Sequence, residues 1–150
     1  MSSGSSQAWF IAGTIPLIVA GVGHALLTLL DVLRPTSFAP VEGATRPAME
    51  GTGMRFRALF PGEAARPSLW RFWLGFNLSH GLGAFAFGLV CLLIAVNHFD
   101  LVSGVGGLRA LTIAVPAAYL VISLVFWFYV PALATGAATA CFAVSALLGT

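Results

Sequence analysis

Residues 73–99 read WLGFNLSHGLGAFAFGLVCLLIAVNHF, an unbroken run without Asp, Glu, Lys or Arg. A helix crosses a bilayer core of ~30 Å with ~20 apolar residues, so this run is long enough. Lipid offers no partner to a free backbone N–H or C=O, which favours a helix over an extended chain. The run does not alternate polar with apolar positions, as a strand of a membrane barrel would. Yet Asn77, Ser79 and His80 stand within four positions near its start. Polar side chains in such a place face a protein interior or a ligand more readily than lipid.

Three further apolar runs accompany it, at about Trp9–Leu33, Leu108–Tyr129 and Pro131–Leu148. The whole chain of 150 residues is 59% hydrophobic and 8% charged, with mean hydropathy +0.96. Soluble domains are about a quarter charged, so this chain has too few charges to cover a water-facing surface. The expected fold is all-α, a single domain made of a membrane-embedded four-helix bundle. The opening MSSGSSQ has no basic residue. The first run therefore reads as a retained span and not as a cleaved leader. Cys91 and Cys141 lie inside apolar runs and read as small hydrophobes.

The connections set the expected topology. FWFYVPAL is read as a tight turn at Val130 and Pro131, with proline in the first turn of the last helix. NHFDLVSGVGG joins the second and third spans. The long connection, residues 34–72, holds Arg34, Arg46, Arg55, Arg57, Arg66 and Arg71 against Glu42, Glu50 and Glu63. All basic residues are arginine, and only Arg109 lies elsewhere. The positive-inside rule makes this loop cytoplasmic and puts both termini outside. Between Pro47 and Phe60 a weak amphipathic pattern could set Met49, Met54, Phe56 and Phe60 toward the interface, with Arg55 and Arg57 toward phosphate; Gly51 and Gly53 weaken a helix there, and an irregular loop with a short helical turn stands beside it as the other reading. Trp70 and Trp73 beside Arg71 read as an interfacial anchor.

The polar residues fall into register. Counted from the shared end of the first two spans, His24 and His80 lie at about 13 Å and 11 Å depth. His24, Thr28 and Asp31 form one stripe of the first helix, Asn77 and His80 one stripe of the second, and Tyr119, Ser123 and Trp127 one stripe of the third. His24, Thr28, Asp31, Asn77, His80 and Tyr119 are thus the candidate ligand-binding cluster, with Asp31 expected near Arg71 or Arg34. Small residues at Gly75, Ser79 and Gly83, and at Ala137, Cys141, Ser145 and Gly149, are expected to let helices approach closely.

Three readings of the cluster stand side by side. His24 and His80 could be axial ligands of a b-type haem. The cluster could bind a small lipid-soluble ligand, or carry a proton. Or it is interhelical glue in a small accessory subunit or scaffold. Transport would need polar residues along a path, and the last span has almost none. No P-loop, GxSxG, HExxH or CxxC is present, and GLGAFAFG cannot be a dinucleotide loop because no strand precedes it. The loop's charge is explained by topology, so no nucleic-acid partner is expected. The expected partners are the bilayer, other membrane subunits or a second copy.

GHALLTLLD, WRFWLGFNLSHGLGAF and FWFYVPAL together resemble a family of small bacterial four-helix membrane proteins with no established activity; GFNLSHGLG is the most specific segment. The resemblance implies a multi-pass protein of the inner membrane and no catalytic residues. The layout is also loosely similar to four-helix bundles that bind or isomerise sterol-like ligands, with no residue-level match. The leading expectation is a non-catalytic membrane protein or small subunit of a larger membrane complex. The alternative is a binder or enzyme for a lipid-soluble ligand.

Overall fold

A computed structural model describes residues 3–53 and 67–149. Among them the chain is helical, with no strand beyond an isolated bridge between Gly53 and Ser68. The helices are α1 (Ser3–Leu33), α2 (Thr45–Gly51), α3 (Leu69–Asn97), α4 (Phe99–Gly104), α5 (Gly106–Phe126) and α6 (Tyr129–Leu148). Four of them, α1, α3, α5 and α6, are long and apolar enough to cross a membrane. That is the signature of a multi-pass membrane protein.

The chain divides into two compact units, Met1–Val22 with Gly83–Thr150, and Gly23–Leu82. In the first, side-chain size decides which helices meet. Phe10 of α1 lies between Phe142 of α6 and Phe99 of α4, at ring-centroid distances of 4.8 and 5.8 Å. Gly13 and Gly88 give the room for this. A Cβ on Gly13 would stand 2.9 Å from the Phe142 ring, and one on Gly88 2.9 Å from Ile18 Cγ1 and 3.2 Å from the Ile18 backbone nitrogen. Hydrogen therefore permits an approach that any larger side chain would block. At the helix ends, Ser6 Oγ donates to the Ser145 carbonyl at 2.8 Å and Ser145 Oγ to the Ser6 carbonyl at 2.7 Å. Gln7 donates to the Ala95 carbonyl of α3 at 2.7 Å. α5 and α6 form a hairpin whose turn lies at Trp127 and Phe128, not at Val130 and Pro131. Pro131 sits inside the first turn of α6, where its missing N–H leaves no bond unmade.

The expected small-residue faces are redistributed. Ser145, Cys141 and Gly149 do face α1, with Ser6 Oγ 3.0 Å from a Cβ on Gly149, but Ala137 is exposed. Gly75, Ser79 and Gly83 of α3 are exposed and make no close approach. Nothing lies within 4 Å of a Cβ on Gly75, and only the Tyr119 hydroxyl, at 3.8 Å, meets one on Gly83.

In the second unit, the stretch expected as one long loop from 34 to 72 is not one loop. It contains α2, and α3 begins at Leu69. The end of α2 lies beside the start of α3, where the Leu69 amide donates to the Thr52 carbonyl at 2.8 Å. α2 stops at Gly51 and buries no residue. Met49 is half-buried, while Met54, Arg55, Phe56, Arg57 and Phe60 of the expected amphipathic segment lie outside the described residues. Arg46 bonds Glu50 at 2.9 Å and lies over the buried Trp70 ring at 5.3 Å.

Candidate functional site

The candidate cluster is built where α1 ends. Pro35 stops the helix, because its ring cannot follow another helical residue without a clash. The next three residues fold back. The Asp31 carboxylate accepts the amides of Thr36 at 2.7 Å and Ser37 at 2.8 Å through Oδ1, and of Phe38 at 2.6 Å through Oδ2. Asp31 is fully buried. A carboxylate in the last turn of a helix opposes the helix dipole, so three amide donors are what stabilise it there. Among the described residues no arginine bonds this carboxylate; Arg34 and Arg71, expected close to it, are exposed.

Phe38 carries the connection across to α3. Its carbonyl accepts Trp73 Nε1 at 3.0 Å, and its ring lies against His24 at a centroid distance of 4.5 Å. His24 Nε2 lies 3.2 Å from Asn77 Oδ1. Asn77 Nδ2 donates to the Trp73 carbonyl at 2.8 Å, which leaves Oδ1 as acceptor and Nε2 of His24 as donor. The His24 and His80 rings meet edge to face at 5.5 Å, and Phe76 stacks on His80 at 6.1 Å. Thr28 is buried and donates to the His24 carbonyl one turn below, so it does not bond Asn77.

The structure thus brings His24, Asn77 and His80 together and sets Thr28 and Asp31 on the same helix beside them. Tyr119 belongs to the first unit, where its hydroxyl lies beside Gly83. Phe38 and Trp73 are the participants that the sequence reading left out of the cluster. The signal for them was Asp31 itself. A buried carboxylate at a helix C-terminus needs donors from the chain that follows, and RPTSF supplies them.

A haem does not fit these two histidines. Axial ligation needs two rings presenting nitrogens to one iron from opposite faces of a flat macrocycle. Here the rings touch edge to face, and His24 Nε2 is engaged by Asn77. Among the described residues no three His, Cys, Asp or Glu side chains are grouped to hold a metal ion. A separate open cleft of about 410 Å³ lies over α2, lined by Pro35, Pro40, Glu42, Arg46 and Glu50 among others. It contains none of the cluster residues.

Among the described residues, no buried side-chain nitrogen or oxygen lacks a hydrogen-bond partner. Comparison of the chain with family models, with curated proteins and with solved structures finds no match.

Proposed function

We propose that the protein is a non-catalytic multi-pass membrane protein, a four-helix bundle acting alone or as a small subunit of a larger membrane complex. In this reading the His24–Asn77–His80 cluster and the Asp31 turn are a clasp that fixes α1 to α3. The observation that carries it is where the polar atoms go. Asp31 accepts three backbone amides, Asn77 bonds His24 and the Trp73 carbonyl, and Trp73 bonds Phe38. A site built for a ligand in an apolar lining keeps a few convergent polar groups turned toward the guest. These groups are instead directed at the chain's own atoms, mostly backbone.

The experiment is mass spectrometry of the protein purified in mild detergent, as wild type and as His24→Ala and His80→Ala. The expected result is no stoichiometric small molecule that depends on either histidine. A lipid-soluble compound present at one per chain, and lost in His80→Ala with the helices intact, would replace this reading with that of a ligand binder.

A further inference from the structure

The end of the α5–α6 hairpin has an unusual composition for a turn. Residues 126–130 read FWFYV, and positions 124–130 contain no Gly, Pro, Asn, Asp or Ser, the residues that dominate turns in water. No Asp, Glu, Lys or Arg follows Arg109 in the sequence. Phe126 is 77% exposed, Tyr129 74% and Phe128 51%, while Trp127 is half-buried. In bulk water this turn would hold bare aromatic rings against solvent, with no charge beside them.

The backbone makes the opposite demand. The Trp127 amide closes the last turn of α5 on the Ser123 carbonyl at 3.1 Å. Beyond it, the end of α5 leaves carbonyls, and the start of α6 leaves amides, that neither helix satisfies within itself. Phe128, the residue before α6, has no side-chain acceptor to offer those amides. Hydrocarbon has none either, so the turn does not belong in the acyl layer. Only the layer of lipid carbonyls, headgroups and water suits both rings and backbone. Tyr and Trp concentrate there because one end of each is apolar and the other polar. Helix length gives the same level. α5 has 21 residues and α6 has 20. At 1.5 Å per residue each is ~30 Å long, which matches the bilayer core, so a turn between them falls at its edge. Leu124, Val125 and Leu133 are also exposed and make the turn continuous with the apolar outer surface of the two spans.

We propose that residues 126–129 are a membrane-interface anchor whose partner is the carbonyl and headgroup layer of the bilayer. The Phe126 and Phe128 rings enter the upper acyl chains, and the Tyr129 hydroxyl and the helix-end backbone groups bond water and lipid esters. The anchor sets the depth of the α5–α6 hairpin. The proposal rests on these helices spanning a membrane. It depends neither on the protein's being non-catalytic nor on which side the turn occupies.

The test is spin-label depth measurement on the full chain in vesicles of phosphatidylcholine and phosphatidylglycerol, from access to oxygen and to a water-soluble nickel chelate. Cys91 and Cys141 are replaced by alanine, and Val130→Cys or Ala137→Cys carries the label. Val130 is exposed beside the four aromatic residues, and Ala137 is exposed farther along α6. The label at 130 is expected within the interfacial layer, ~5–8 Å thick on each side. The label at 137 should lie about 10 Å deeper. Replacing Phe126, Phe128 and Tyr129 by serine should raise nickel access at 130 several-fold. Nickel access at 130 equal to that of a label free in water would overturn the proposal, as would a depth equal to that at 137. Access by neither reagent would mean that protein covers the turn, and unchanged access in the serine variant that the rings do not set its depth; either result overturns the proposal. Nickel access at 137 as well would overturn the spanning placement of α6 itself. If the cysteine-free chain does not fold, Cys91, which is only 3% exposed, is retained. If the triple serine variant does not fold, Phe128→Ser alone decides by the same criterion.

Discussion

At the scale of the residue, Asp31 carries more of the second unit than any other side chain. Its two oxygens take three amides, and those amides place Phe38, which in turn meets both His24 and Trp73. Asp31→Ala would leave three N–H groups near the membrane interface without an acceptor. An unsatisfied buried donor costs about 1–3 kcal/mol, and interfacial water would recover part of that. A loss of about 3 kcal/mol is expected, read as a lowered unfolding midpoint in detergent. Asp31→Asn keeps one acceptor oxygen and should lose about half as much. An Asp31→Ala midpoint equal to wild type would show that the turn at 36–38 is held by something else. The sequence showed Asp31 as a polar group in an apolar run, near Arg34 or Arg71, but not the backbone amides that bond it. Charge pairing is visible in a sequence. Backbone amides carry no mark in it, and only the oddity of a carboxylate at a helix C-terminus hinted at them.

At the scale of the element, helix existence was legible and helix contact was not. A run such as 73–99 declares a span through length and the absence of charge. Which glycine lies between helices depends on the rotation of each helix about its axis, and a helix apolar on all sides does not encode that rotation. The Gly75, Ser79, Gly83 spacing suggested a packing face, yet that face is open, while Gly88 lies against Leu17 and Ile18. The expectations for substitution follow. Gly88→Leu should disrupt the α1–α3 contact in the first unit, because backbone as well as side chain stands in the way; overpacking of this kind costs about 1–3 kcal/mol or more. Gly83→Leu should change the unfolding midpoint little, since only the Tyr119 hydroxyl lies near. Comparing the two midpoints in one detergent checks both. Equal losses would mean that α3 is rotated differently about its axis. The turn between α5 and α6 was mislocated for a related reason. Pro131 was read as the turn, but proline is accepted within a first helical turn, so the chain reverses at Trp127 and Phe128 instead.

At the scale of the whole molecule, four helices of spanning length give a multi-pass protein, and the arginines give a proposed sidedness. Five of the seven arginines lie between α1 and α3, and a sixth is in the first turn of α3. A reporter inserted near Gly51 is expected to remain on the cytoplasmic side; activity outside would invert the proposed topology. The cluster of His24, Asn77 and His80 was legible as a shared level and stripe, because helical rise and period are fixed numbers. Its closure by Phe38 was not, because the path of the chain after Pro35 is not periodic. The central claim is that the polar residues inside this protein hold its own chain together. Hydrogen–deuterium exchange along the chain in mild detergent tests it most directly, with wild type and Asp31→Ala compared. The account predicts that the amides of Thr36, Ser37 and Phe38 are protected in wild type and exchange rapidly in Asp31→Ala, while α5 and α6 are protected equally in both. Rapid exchange at residues 36–38 in the wild type, at the rate of the variant, would contradict it.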